Sequence, residues 1–131
     1  MAKLLIVEDD ESVRTLAARA LERAGHKVDV ACDGAEGLDC IHAERGGYDL
    51  IVSDIRMPEM DGIEMAQNAA RAYPGLPILL MTGYADQRER AEELDAIIID
   101  VVQKPFTLND IRDRVSRALA AQSTVALAGA A

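Results

Sequence analysis

Tryptophan is absent from this 131-residue chain, phenylalanine occurs once and tyrosine three times. An aromatic core is therefore excluded, and burial must fall to Leu, Ile, Val, Ala and Met. Positive charge is scarce as well: 14 Lys and Arg stand against 23 Asp and Glu, a net charge of −9 at pH 7. With no basic stripe to displace counterions, the chain is not built to bind nucleic acid electrostatically. The same deficit disfavours an anionic membrane surface. Apolar runs fall far short of the roughly 20 residues that span a bilayer. The start, Met1-Ala2-Lys3-Leu4, leads straight into a strand-like run with no signal-peptide architecture, so a cytoplasmic protein is expected. Cys32 and Cys40 are the only cysteines and lack metal-ligand spacing; they read as reduced thiols.

What the chain does have is alternation. Strand-like runs begin at Lys3, Lys27, Leu50, Pro77 and Ile97, ending near Val7, Cys32, Ser53, Met81 and Val102. Between them lie helical stripes. Val13, Leu16, Ala17, Ala20, Leu21 and Ala24 mark the first, stopped by Gly25. Ala35, Leu38 and Ile41 mark the second, and Ile63, Ala66 and Ala70 the third. Asp86 to Leu94 reads as a charged fourth helix, by default a solvated face. Leu108, Ile111, Val115 and Leu119 mark a fifth. Asp10, Asp61 and Thr107 stand where helix caps belong. Alternating elements with short connections imply parallel strands and right-handed crossovers. The fold expected is α/β, a flavodoxin-like (βα)5 doubly wound parallel sheet of order 2-1-3-4-5. One domain spans residues 1–119, and the Ala-rich tail 120–131 is expected to be disordered. His26 and His42 read as surface residues, and Met57, Met60, Met65 and Met81 as packing residues.

Chemistry in such sheets gathers at the carboxyl ends of the strands. Glu8 and Asp9 end the first strand, Asp54 the third, Thr82 the fourth and Lys104 follows the fifth. Adjacent strands lie about 5 Å apart, so three carboxylates would crowd together and repel. Lys104 offsets one charge and a divalent cation the rest. Hard oxygen ligands without His or Cys select Mg²⁺, held by Asp9 and Asp54 with Glu8 beside them and the backbone carbonyl of Arg56 as a further ligand. This is a phosphoryl-transfer constellation. Asp54 is the nucleophile, Thr82 and Lys104 hold phosphoryl oxygens, and Gly83 leaves room for the incoming group. A cis Lys104-Pro105 peptide is expected to aim the lysine inward.

These residues resemble the receiver domains of two-component response regulators, from Lys3 to about Leu119. The likeness rests on Glu8-Asp9, on Asp54-Ile55-Arg56-Met57-Pro58 followed by Asp61-Gly62, on Met81-Thr82-Gly83, and on Lys104-Pro105-Phe106. The resemblance implies an aspartyl phosphate at Asp54, made with Mg²⁺ from a histidine kinase or histidine phosphotransferase. It also implies switching of the face around residues 86–119. Within the family, the runs Thr82 to Ala91 and Val101 to Leu108 are similar to the CpdR type of single-domain cell-cycle receivers. That subfamily would imply an unphosphorylated form that helps deliver substrates to a Clp protease.

Two departures stand out. The family usually places an aromatic residue three positions before the lysine, where this chain has Val101, so Tyr84 is expected to carry the switch instead. No glycine occurs in Leu94-Asp95-Ala96-Ile97 either. The ending Leu127-Ala128-Gly129-Ala130-Ala131 resembles the small apolar tags that Clp unfoldases engage, with Ala130 and Ala131 the residues expected to matter. No output domain is expected after residue 120, so output falls to protein docking. The remaining alternatives are a phosphate shuttle or sink, a flavodoxin-like electron carrier, and a haloacid-dehalogenase-like phosphatase. The electron carrier is disfavoured by acidic residues where a flavin phosphate loop belongs. The phosphatase is disfavoured by Arg56 standing where a second Asp belongs. No small-molecule substrate other than phosphodonors is expected.

Overall fold

The computed structural model describes residues 2–57, 59–82, 100–103 and 107–130. Five strands, β1 (Lys3–Val7), β2 (Lys27–Ala31), β3 (Leu50–Asp54), β4 (Ile78–Thr82) and β5 (Asp100–Gln103), pair in parallel in the order β2-β1-β3-β4-β5. Helices α1 (Glu11–Arg23), α2 (Gly34–Ala43), α3 (Gly62–Ala72) and α4 (Leu108–Ala130) complete the described elements. The flavodoxin-like doubly wound sheet expected from the sequence is thus the fold. The predicted helix at Asp86 to Leu94 lies outside the described residues, as do Gly83, Tyr84, Lys104, Pro105, Phe106 and Ala131.

Period-two alternation explains the two layers. Leu5, Val7, Ile51, Ile78 and Leu80 face one way and pack with Ile41, Ile63, Met65, Ala66 and Ala69 of α2 and α3. Leu4, Ile6, Leu50, Val52, Leu79 and Met81 face the other way. They pack with Ala17, Ala18 and Leu21 of α1 and with Ile111, Val115 and Ala118 of α4. Both faces of the central strands are covered, which is why those strands are continuously apolar. Each fully buried Leu or Ile contributes about 1.5–3 kcal/mol.

The helices start where the sequence places them. Asp10 accepts from Val13 N at 3.0 Å, Asp33 from Glu36 N at 2.8 Å and Asp61 from Glu64 N at 2.8 Å. Thr107 and Asp110 cap α4 reciprocally, Oγ1 accepting from Asp110 N at 3.1 Å while Thr107 N donates to Asp110 Oδ2 at 2.9 Å. Each cap contributes about 1 kcal/mol.

Helix α4 runs on through Ala120 to Ala130; alanine has the highest helix propensity of any residue, and no proline interrupts the run. Some expectations are corrected. Strand β2 ends at Ala31, because Cys32 and Asp33 already turn into the α2 cap. Leu16 is 52% exposed and Ala24 and Ala35 are exposed, since α1 and α2 turn only a narrow stripe to the sheet. His42 is exposed, as expected, and its Nδ1 lies 3.0 Å from the Tyr73 hydroxyl. His26 is half-buried, with Ala2 N donating to its Nδ1 at 3.3 Å.

Candidate functional site

Strand register assembles the site. Val7 pairs with Ser53, so Glu8 and Asp54 are the next residues at the carboxyl end of two neighbouring strands. Glu8 N donates to Ala31 O at 3.1 Å, prolonging the ladder one residue past β1. On the other side Asp54 pairs with Met81, and Ile55 N donates to Met81 O at 3.0 Å. Thr82 is thereby brought to the same edge, fully buried. Gln103, the last residue of β5, pairs with Thr82.

Glu8 is 1% exposed and Asp54 6%, whereas Asp9 is exposed. Carboxylate oxygens of all three lie within 4.8 Å of one another. Two buried carboxylates this close to a third are costly to hold charged without a cation. The donor set is hard oxygen throughout, with one side open to water through Asp9, and it fits Mg²⁺. Arg56 sits two residues after Asp54, exposed, on the loop leaving β3.

Main-chain groups orient the acids. Ile55 N donates to Asp54 Oδ1 at 2.9 Å, fixing the carboxylate plane. Asp10 N approaches Glu8 Oε1 at 3.4 Å. Arg14, which the sequence reading did not single out, donates from Nη1 to the Glu8 carbonyl at 2.9 Å. Its signal was its place one helical turn after the Asp10 cap, where a long side chain reaches back toward the strand end.

The loop between β3 and α3 closes tightly. Gly62 N donates to Ile55 O at 2.8 Å, and a Cβ built on Gly62 would stand 2.2 Å from Asp54 O. The Asp54 to Gly62 spacing is therefore a steric requirement. Glu59 in this loop has φ +68°, which non-glycine residues seldom adopt.

Of the residues expected at the site, the structure brings together Glu8, Asp9, Asp54 and Thr82. Gly83, Tyr84 and Lys104 lie outside the described residues, and Val101 is placed only by its backbone, paired with Leu80. Ala130 closes α4, far along the chain from the acidic edge.

Comparison with known proteins gives the same answer as the geometry. Residues 4–116 match the response regulator receiver domain. The chain is 38% identical over 122 residues to response regulator MprA of Mycolicibacterium vanbaalenii, covering 93% of this chain and 52% of that protein. It spans about half the length of the curated relatives it matches. The crystal structure of chemotaxis response regulator CheY4 of Vibrio cholerae superposes with a TM-score of 0.80 at 31% identity, over 90% of this chain and 98% of that one. A receiver domain protein from Clostridium thermocellum shares the fold at TM-score 0.85 and 21% identity, over 95% and 99% of the two chains. The chain belongs to the response regulator receiver domains of two-component signalling, a family of phosphoryl-accepting switches.

Proposed function

We propose that Asp54 is the phosphoryl acceptor of this receiver and that the chain signals by docking to another protein. The observation that carries the reading is the convergence of Glu8, Asp9 and Asp54 at the sheet edge beside buried Thr82. The Asp54 carboxylate attacks phosphorus of a phosphohistidine. A P–O bond forms, the P–N bond breaks, and the imidazole of a histidine kinase or histidine phosphotransferase leaves with the electron pair. Thr82 and Lys104 hold phosphoryl oxygens, with Gly83 giving room. Asp9, Asp54 and the Arg56 carbonyl, with Glu8 beside them, would hold Mg²⁺, which supplies positive charge to the transferring group. The chain thus promotes its own phosphorylation and dephosphorylation and turns over no metabolite.

The finer role we infer is that of a CpdR-type receiver acting with a Clp protease in the cytoplasm. The runs at Thr82 to Ala91 and Val101 to Leu108 support it, with Tyr84 in the place of the missing aromatic at Val101 as switch residue. The excess of acid over base speaks against DNA as the direct target. Ala130 and Ala131 are proposed as a degradation tag.

Acetyl phosphate with Mg²⁺ should add one phosphoryl group to the wild-type protein at Asp54 and none to Asp54→Ala. Labelling that survives Asp54→Ala defeats the acceptor assignment. For the finer role, Asp54→Ala should retain Clp protease components in a pull-down better than the phosphorylated wild type. Replacing Ala130 and Ala131 by Asp should lengthen the half-life in cells.

A further inference from the structure

We propose that Gly34, at the start of α2 and outside the acidic constellation, is a positioning residue for phosphoryl acceptance. It acts by clamping the loop that carries Arg56. The inference rests on the acceptor reading above.

Residues 55–57 follow the acceptor strand, and residues 59–61 lead into α3. One end of this loop is pinned by the Gly62 N–H bond to Ile55 O at 2.8 Å. Its tip holds Glu59 at φ +68°. Such a conformation persists only where the surroundings over-determine it. The surroundings here are α2. A Cβ built on Gly34 would stand 2.2 Å from Met60 O, 2.9 Å from Met60 C and 3.0 Å from Met60 Cβ. The obstacle is main chain, so no side-chain rotation relieves it. The loop itself would have to recede by about 1 Å to restore ordinary contact.

The first turn of α2 is a firm base for this clamp. Asp33 caps it through Glu36 N at 2.8 Å. One turn on, Gly37 lies against Val7, where a Cβ would meet Cγ2 at 2.9 Å, and against Met65 Sδ, also at 2.9 Å. Val7 immediately precedes Glu8. The amino end of α2 therefore touches both walls of the acidic edge, the β1 terminus through Gly37 and the β3–α3 loop through Gly34. The acidic cluster itself is Glu8, Asp9 and Asp54, without Asp33 or Glu36 of this turn. Filling the space at Gly34 moves Met60, and with it the short segment back to Arg56 and Asp54.

The test compares full-length wild type, Gly34→Ala and Ile41→Val, the last a core substitution lower on the same helix. Asp54 labelling by acetyl phosphate is followed against Mg²⁺ concentration, together with the rise in melting temperature that Mg²⁺ alone produces. For Gly34→Ala the half-saturating Mg²⁺ should rise about 10- to 100-fold, as for groups that orient metal ligands indirectly, and the Mg²⁺-induced thermal shift at a given Mg²⁺ concentration should be clearly smaller than that of the wild type. Ile41→Val should lower the melting temperature yet leave the Mg²⁺ requirement unchanged. A folded Gly34→Ala with the wild-type Mg²⁺ requirement overturns the proposal and leaves the acceptor reading standing. A wild type that neither takes phosphate nor responds to Mg²⁺ defeats both. If Gly34→Ala does not fold, hydrogen exchange of the wild type decides. Loading with Mg²⁺ and beryllofluoride should slow amides 35–38 along with the loop; protection confined to residues 54–62 overturns the clamp.

Discussion

Gly62 rests directly on the main chain of Asp54, where a Cβ would stand only 2.2 Å from the Asp54 carbonyl oxygen. Any side chain at Gly62 must push either α3 or β3. Because β3 is fully buried between two neighbours, α3 is the element that yields. Gly62→Ala should destabilise the protein by about 3 kcal/mol, the upper range for overpacking, and slow Asp54 phosphorylation. Urea denaturation and acetyl phosphate labelling measure the two effects. A variant as stable as wild type would show that the contact is relaxed in solution.

Tyr48 ties the edge strand to the core. Its hydroxyl donates to Asp29 Oδ2 at 2.7 Å, and its ring is buried. Burial first, then the hydrogen bond to the Asp29 carboxylate, pushes the phenol above its ordinary value. The unfolded phenol titrates near pH 10, and the folded one higher. The bond therefore contributes in full below about pH 10 and is lost as pH rises through the folded value. Tyr48→Phe should lower stability by about 1 kcal/mol at neutral pH. The gap between it and wild type should close in alkaline melts. Ultraviolet titration should show one wild-type tyrosine ionising late, and that phase should be missing from the variant.

Much of this was legible in the sequence because it depends on local periodicity. Leu4 and Ile6 against Leu5 and Val7 encode two faces, and an acidic residue just past an apolar run encodes a polar strand tip. Asp10, Asp61 and Thr107 announce helix starts by chemistry within three residues. What stayed hidden is non-local. Nothing near Gly34 in the chain reports that Met60 will lie across it, and nothing near His42 reports Tyr73. Leu16 fitted the helical stripe by spacing, yet it is 52% exposed.

Helix ends offer a paired prediction. In α1 the last turn is closed by His26 N to Leu21 O at 3.2 Å and Gly25 N to Glu22 O at 3.0 Å, with Gly25 at φ +98°. In α2 the same motif uses Gly46 N to Ile41 O at 2.9 Å and Arg45 N to His42 O at 3.0 Å, but the left-handed residue is Arg45, φ +54°. An L side chain there costs about 1 kcal/mol, which glycine avoids. Arg45→Gly should therefore stabilise by up to about 1 kcal/mol, and Gly25→Ala should destabilise by a similar amount. Thermal melts of both variants check the opposite signs. Two shifts of the same sign would show that side-chain contacts of Arg45 outweigh its backbone strain.

Cys32 stands exposed at the turn into α2, with its Sγ 2.8 Å from Glu36 Oε2 and 4.0 Å from Asp33 Oδ2. A carboxylate accepting from the thiol favours the protonated form, and the hydrogen bond to Glu36 is the largest cause raising this thiol above its ordinary value. Alkylation requires the thiolate, so Cys32 should react with iodoacetamide more slowly at pH 8 than a free cysteine peptide despite its exposure. Its rate should continue to climb at pH values where the peptide has levelled off. Glu36→Gln removes the acceptor charge and weakens the bond to a neutral one, and should speed the reaction several-fold at pH 8. The Asp33 cap is left in place, so α2 should remain intact by circular dichroism. Peptide mapping by mass spectrometry separates Cys32 from Cys40, whose thiol is raised chiefly by burial and should not respond as strongly. A Glu36→Gln rate at Cys32 equal to wild type would mean that the short sulfur–carboxylate contact does not persist in solution.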